Sequence, residues 1–285
     1  MDKIERFLSC DFVLLTRGRV DHQHLLSNMP EEILSMITIV CHPGEKELHS
    51  KTWGGKVKRI TEYSGDFVGE AREWCINNLD GEYVFFFEDN LQFHVRKDPD
   101  FGEGNKHGLT NVNSSKFKEE TLTSIYYAIL LDIFDKLDTG EYGMVGVSHR
   151  TGNNRQPLDF VDNSRLYGFW ALNKENYRKM HSRFSDVRYR EDFYMELEFL
   201  LEGYKVGVFY KYAIDKKAVN QKGGCSSYRK PEETNQNAFE MEKMFPGFVR
   251  AVKKEKKSWN GYDEVWDVNI SWKKAYEYGR QKRDI

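Results

Sequence analysis

The run Tyr83-Val84-Phe85-Phe86-Phe87, ending abruptly in Glu88-Asp89-Asn90, constrains the fold more than any other stretch of this chain. Five successive β-branched or aromatic residues without polar alternation read as a strand buried on both faces, as at the centre of a parallel sheet. Three oxygen-bearing side chains follow at its carboxyl end. Open α/β sheets place their ligands at that edge, and clustered carboxylate and amide oxygens suit a hard divalent cation carrying phosphates. A plain acidic turn after a strand is the competing reading.

The flanking sequence alternates strands and helices. Residues 12–15 (Phe-Val-Leu-Leu) read as a strand stopping at Thr16-Arg17-Gly18-Arg19, and an amphipathic segment over 24–34 reads as the helix after it. Residues 36–40 and 56–60 read as two further strands. Phe67, Ala71, Trp74, Cys75 and Leu79 recur at helical spacing, and Asp80-Gly81 closes that helix before the Tyr83 strand. Strand, helix and strand in this order build a parallel sheet with right-handed crossovers. The Gly-, Asp- and Asn-rich segment 97–113 reads as a loop beside the acidic edge. A long helix is expected from about 115 to 137, closed by Gly140. Residues 144–147 then form a strand delivering Ser148, His149 and Arg150 to an edge, and residues 167–172 another that ends at Asn173. His149 is either a ligand or base, or a histidine that is merely hydrogen-bonded.

A second chemically suggestive stretch runs from Tyr189 to Tyr204. Phe193, Leu197, Leu200 and Leu201 fit one helical face and Gly203 its cap, so Glu191 and Asp192 sit at the helix start. They are either N-terminal capping carboxylates or an acid held at a sheet edge as general base. After the next strand, at 206–210, come Asp215-Lys216-Lys217 and Gly223-Gly224, whose amides and lysines suit an anionic ligand.

Charge is unevenly spread. Residues 1–210 hold 26 Lys/Arg against 34 Asp/Glu, while residues 211–285 hold 17 against 11. The densest basic run contains Arg250, Lys253, Lys254, Lys256 and Lys257, followed by Trp259, Trp266 and Trp272; it is either a solvated face or a surface for a polyanion. No apolar stretch approaches the ~20 residues of a membrane span, and the first residues lack the apolar core of a signal peptide, so a soluble cytoplasmic protein without a membrane partner is expected. Cys10, Cys41, Cys75 and Cys225 are far apart with no CxxC pair, which argues for reduced, buried thiols.

In their order these features resemble a glycosyltransferase of the GT-A fold, and within it the bacteriophage branch called TET/JBP-associated glycosyltransferases. Leu14-Leu15-Thr16-Arg17-Gly18-Arg19 is similar to the family's "S-R-G-R" after the first strand, where the nucleotide begins to bind. Ala71-Arg72-Glu73-Trp74-Cys75 resembles its "R-N-W" helix, and Glu88-Asp89-Asn90 its "D-D-N" acidic element. Glu191-Asp192, Gly203-Tyr204, Lys216 and Gly223-Gly224 resemble its "E-D…G-Y…K…G-G" block. Glu88 replaces the usual first Asp, Asn90 brings a neutral amide where many GT-A enzymes have a second carboxylate, and no late histidine is present, His181 being the last.

The resemblance implies an α/β, Rossmann-like GT-A domain over 1–230, with a mixed, mainly parallel sheet flanked by helices, and a basic, Trp-containing extension over 231–285 packed on it. It implies a UDP-sugar or similar nucleotide-sugar donor and a divalent cation, Mn²⁺ or Mg²⁺, at Glu88, Asp89 and Asn90. Thr16, Arg17, Arg19, Arg72, Lys216, Gly223 and Gly224 would hold the donor with them. Asp192, with Glu191 as substitute, would deprotonate the acceptor, which gives inversion; a retaining reaction needs a different arrangement. The implied acceptor is a hydroxymethylated pyrimidine in phage DNA, 5-hydroxymethylcytosine above all, rotated out of the duplex. His149, Trp170, Asn173, Lys253, Lys254 and Lys257 are its expected contacts. A saccharide acceptor and an inactive module that binds modified DNA are the alternatives.

Overall fold

The computed structural model describes residues 2–96, 108–113, 117–217, 223–224, 228–254 and 265–283. Its strands are β1 (Asp11–Thr16), β2 (Ile37–Cys41), β3 (Arg59–Glu62), β4 (Tyr83–Glu88), β5 (Leu91–Arg96), β6 (Leu109–Asn111), β7 (Tyr142–His149), β8 (Phe160–Asp162), β9 (Trp170–Asn173), β10 (Lys205–Lys216), β11 (Val249–Lys254) and β12 (Val265–Ile270). The α-helices are α1 (Lys3–Leu8), α2 (Glu31–Leu34), α3 (Lys46–Trp53), α4 (Val68–Asn78), α5 (Glu119–Asp138), α6 (Lys174–Lys179), α7 (Glu191–Leu201), α8 (Pro231–Met244) and α9 (Trp272–Arg283).

Among the described residues β1–β10 form one sheet in the order β3-β2-β1-β4-β9-β7-β10-β5-β6, with β8 also on β10. β1–β4, β6, β7 and β10 run one way and β5, β8 and β9 the other, so the sheet is mixed and mainly parallel as expected. β4 lies near its middle and is buried on both faces. Phe85 and Phe87 join the core under α1 and α5, while Val84 and Phe86 join the core under α4 and α7. Period-two alternation of side chains across the pleat makes one continuous apolar run serve both layers.

Four strands that run together, β1, β4, β7 and β10, end at one edge in Thr16, Glu88, His149 and Lys216. Helices α4 and α7 each lead back to the start of a strand, β4 and β10, so their N-termini also lie at that edge. β9 stops at Trp170 opposite Phe86, which leaves the last residues of β4 without a neighbour on that side where the chain turns into β5.

Three local expectations are corrected. The helix expected over 24–34 is a 3₁₀ turn at Leu26–Asn28 and the short α2, because Pro30 has no N–H and cannot sit inside a helix. The strand expected at 56–60 begins three residues later, since Val57 N–H still bonds Trp53 O at the end of α3. α3 itself has no apolar stripe to announce it, and its Leu48 is exposed. The strand expected at 167–172 is only β9. Ahead of it the chain bends so that Gly168 lies against Lys216, where a Cβ would come 2.8 Å from Lys216 Cε. Cys10, Cys41 and Cys75 are free buried thiols, as expected; Cys225 and most of the 97–113 loop lie outside the described residues.

The C-terminal segment is a packed module. α8 lies against an antiparallel ribbon of β11 and β12, and α9 packs on α7. Gly279 permits that approach, since a Cβ there would fall 2.1 Å from Leu200 O. Met241, Phe245, Val249 and Ala275 belong to the same buried core as α7. Trp266 lies tilted against the exposed Phe239 ring, and Trp272 meets Phe193 edge-on against the α7 core, both tryptophans being partly buried.

Candidate active site

The turn after β1, the turn after β4 and the end of β10 meet at the common edge. Asp89 is buried, and each carboxylate oxygen is committed: Thr16 Oγ1 donates to Oδ2 at 2.9 Å and Arg19 Nη1 to Oδ1 at 2.7 Å. Burial pushes the Asp89 carboxyl up and the Arg19 guanidinium opposes it. Gln23 Nε2 completes the knot by donating to Thr16 Oγ1 at 2.9 Å. Arg19 Nη2 also donates to Gly223 O at 3.2 Å, and Gly224 N–H to Arg17 O at 2.7 Å. Gly223 has φ +100°, and a Cβ there would come within 2.7 Å of Arg17 O and Gly18 O, so only glycine fits. The Arg-Gly-Arg turn and the Gly-Gly turn, 205 residues apart in the matching motifs at Gly18 and Gly223, are therefore one unit.

Beside this unit Lys216 Nζ lies 2.6 Å from Glu88 Oε2, with both side chains about a third exposed. Asn90 Oδ1 is buried and has no hydrogen-bond partner among the described residues. The donors that fit a hard cation are thus Glu88, at the surface, and the orphaned Asn90 oxygen; Asp89, expected as a ligand, instead braces the turn through Arg19 and Thr16. No group of three or more His, Cys, Asp or Glu converges among the described residues.

Arg72 and Glu191 form a buried ion pair between α4 and the first residue of α7, and Arg72 also lies over the Trp170 ring at 4.9 Å. Burial pushes the Glu191 carboxyl up while Arg72 pulls it down. Glu191, the expected substitute base, and Arg72, the expected donor contact, are consequently bound to each other. Asp192, one residue on, is only half-buried and accepts from Phe193 N–H at 3.0 Å. The start of α4 connects the two groups of residues: Arg17 Nη1 donates to Asp66 O at 2.9 Å, and Gly69 packs beside Glu191.

His149 stands at the same edge. Its Nδ1 accepts from Thr151 N–H at 3.0 Å, which assigns the hydrogen to Nε2, and burial holds the ring below its ordinary pKa, so it is neutral at pH 7. Trp170 and Asn173, expected as acceptor contacts, are both occupied within the fold. Trp170 is buried and stacks on Phe184, while Asn173 pairs with Tyr83 at the opposite edge and caps α6. Lys253 and Lys254 are exposed on β11; Lys257 lies outside the described residues.

Four residues without a motif of their own also shape the site. Gln23 and Glu45 hold the first turn, Glu45 Oε1 accepting from Gly18 N–H at 2.8 Å. Arg165 lies between the rings of Tyr167 and Phe193, at 4.6 and 4.3 Å. Arg190 precedes the acid pair with φ +56°. Only the unusual density of arginine around 183–190 hinted at the last.

No curated protein matches the chain in sequence. Among solved structures, glucosyl-3-phosphoglycerate synthase from Mycobacterium tuberculosis, in complex with Mg²⁺ and UDP, aligns over 95% of this chain and 92% of its own at 11% identity, with a TM-score of 0.48. The mannosyltransferase PcManGT from Pyrobaculum calidifontis, with GDP-Man and Mn²⁺, aligns over 83% and 64% at 12% identity and a TM-score of 0.47. GalNAc-T7, with UDP, GalNAc and Mn²⁺, aligns over 73% of this chain at 8% identity and a TM-score of 0.45, and the chain spans 43% of its length. The profile of the TET-associated glycosyltransferases matches residues 11–224, from the first residue of β1 through the Gly223-Gly224 turn. The chain belongs to the TET-associated glycosyltransferase family.

Proposed function

We propose that this chain transfers a hexosyl or pentosyl group from a nucleotide sugar, a UDP-sugar first, to the hydroxymethyl group of a modified pyrimidine in DNA, 5-hydroxymethylcytosine above all. The observation that carries the reading is the meeting, at one sheet edge, of a cation-bearing turn pair with a half-buried acid at the start of α7. Arg17, Arg19 and Lys216 supply fixed positive charge for the donor diphosphate. Glu88 and Asn90 are the residues that would hold a divalent cation, whose charge, when it is bound, eases departure of the nucleoside diphosphate. Asp192 takes the proton of the acceptor hydroxyl as its oxygen attacks the anomeric carbon and the sugar–phosphate bond breaks, an in-line course that inverts configuration.

The basic ribbon supports a nucleic-acid acceptor. Lys253 pairs in register with Trp266, and the Trp266 carbonyl accepts from Arg190 Nη2 at 3.0 Å. Exposed lysines therefore belong to the ribbon that is bonded to Arg190 next to the acid pair, and they would contact backbone phosphates while the base enters the site.

The test is incubation with a panel of nucleotide sugars, Mn²⁺ or Mg²⁺, and duplex DNA containing hydroxymethylated pyrimidines, followed by nucleoside mass spectrometry. A mass gain of one sugar on the modified base, abolished in Asp192→Ala, is expected. Metal-dependent donor hydrolysis without gain on DNA would overturn the acceptor assignment in favour of a saccharide, and no donor consumption at all would overturn the enzyme.

A further inference from the structure

Arg190 is the last residue before the acid pair, and its backbone is left-handed, φ +56° and ψ +33°. A non-glycine residue holds this conformation only when its surroundings over-determine it. Those surroundings come from the C-terminal module. The Arg190 guanidinium is almost wholly buried; Nη1 donates to Thr234 O at 2.8 Å and Asn237 Oδ1 at 3.0 Å on α8, and Nη2 donates to Trp266 O at 3.0 Å on β12. Asp267 lies 3.6 Å from Nη2 and balances the charge. Two elements of the module thus converge on one side chain, and neither lies within residues 11–224, the span matched by the family profile.

The geometry points to a role for this contact: Arg190 is a positioning residue, and the module of α8, β11 and β12 is part of the catalytic apparatus because it fixes, through Arg190, the direction in which α7 begins and hence where Asp192 stands. The inference rests on the reading of Asp192 as the base. A helix can start from many backbone directions, and its first turn has no preceding hydrogen bonds to set them. Here Glu191 is tied to Arg72 and Arg190 to the module, so the two residues immediately before Asp192 are both fixed and set the direction from which its carboxylate projects. Among the described residues the donor edge, built from Arg17, Arg19, Glu88 and Lys216, shares no hydrogen bond or ion pair with Arg190, whose partners are Thr234, Asn237, Trp266 and Asp267, so loosening Arg190 should alter turnover and spare donor affinity.

Arg190→Gly isolates the guanidinium, since glycine adopts the left-handed conformation freely; Arg190→Lys keeps the charge and loses the planar fork. Two readouts are taken on each. Amide hydrogen exchange over residues 188–196 needs no substrate, and Arg190→Gly should speed it about tenfold while leaving α5 unchanged. Turnover is measured with the nucleotide sugar that the unsubstituted chain consumes and duplex DNA containing 5-hydroxymethylcytosine. There kcat should fall about 10- to 100-fold at unchanged donor KM, with Arg190→Lys intermediate. Unaltered exchange in a folded Arg190→Gly protein overturns the anchoring, and unaltered kcat overturns the positioning role. Asp192→Asn separates the two readings: if it remains fully active, the base assignment fails, while faster exchange in Arg190→Gly would still establish the anchor.

Discussion

Arg19 Nη1 sits 2.7 Å from Asp89 Oδ1, joining the turn after β1 to the turn after β4 across 70 residues of chain. Both side chains are nearly buried, so the contact costs desolvation that only an intact pair offsets. Arg19→Ala should lower stability by about 3–5 kcal/mol in urea unfolding, because it strands a buried carboxylate. Replacing both residues with apolar ones of similar volume should restore much of that stability without restoring donor binding by calorimetry. A loss below about 1 kcal/mol in the single variant would mean that water reaches Asp89 and that the pair is not the brace described.

Glu191 and Asp192 are neighbours with opposite commitments. Glu191 is buried against Arg72, and Asp192 is half-buried with a local bond from Phe193 N–H. Asp192→Asn should therefore reduce transfer about 10²- to 10⁴-fold with a near-unchanged melting temperature, as expected for loss of a general base. Glu191→Gln should do the reverse in emphasis, lowering the melting temperature by several degrees through the uncompensated Arg72. Equal thermal losses in both variants would show that the pair acts only as a helix cap.

Glu196 lies one turn beyond Asp192 and is fully buried. Its Oε2 accepts from Leu166 N–H at 3.0 Å, and Oε1 has no partner among the described residues. Burial, reinforced by the Asp192 charge, holds its carboxyl well above the ordinary value of 4.5. The folded chain keeps this proton at pH values where the unfolded chain has lost it, so Glu196 lowers stability progressively as pH rises above the ordinary carboxylate range. Glu196→Gln should match the parent near pH 4 and exceed it at pH 8 in melting temperature, each kcal/mol appearing as roughly 2–4 °C in a chain of this size. A gain that is the same at both pH values would trace to packing and not to the proton.

How much of this was legible in sequence follows from the range of each interaction. The β4 run announced a strand buried on both faces because its pattern is local, and Gly203 announced the end of α7 because a left-handed cap favours glycine. The Arg-Gly-Arg and Gly-Gly turns were recognisable as motifs, although only the fold shows that they touch. Trp170 misled because an aromatic residue near a strand end looks the same whether it faces a ligand or, as here, Phe184 and Arg72. Arg165 has no sequence signal as a site residue and Arg190 only the local density of arginine, since their significance lies in partners from other elements. The basic C-terminal segment was read by charge alone, which concealed α8, the ribbon and α9.

The ribbon supplies the sharpest test of the acceptor. Lys253 and Lys254 end β11 on an exposed surface, and the ribbon is bonded through Trp266 O to Arg190, so a duplex whose base is served by Asp192 is expected to meet these lysines with its phosphates. Each lysine that neutralises a phosphate releases condensed counterions and steepens the dependence of log K on log salt by about 0.9 for duplex DNA. Lys253→Ala with Lys254→Ala should thus flatten that slope by up to about 2, weakening binding to modified and unmodified duplexes alike. The reason is that phosphate contacts position the duplex and carry no base information. Fluorescence anisotropy over a salt series reads both quantities. An unchanged slope would remove the ribbon from the DNA path, and a loss confined to hydroxymethylated duplex would make it a reader of the base.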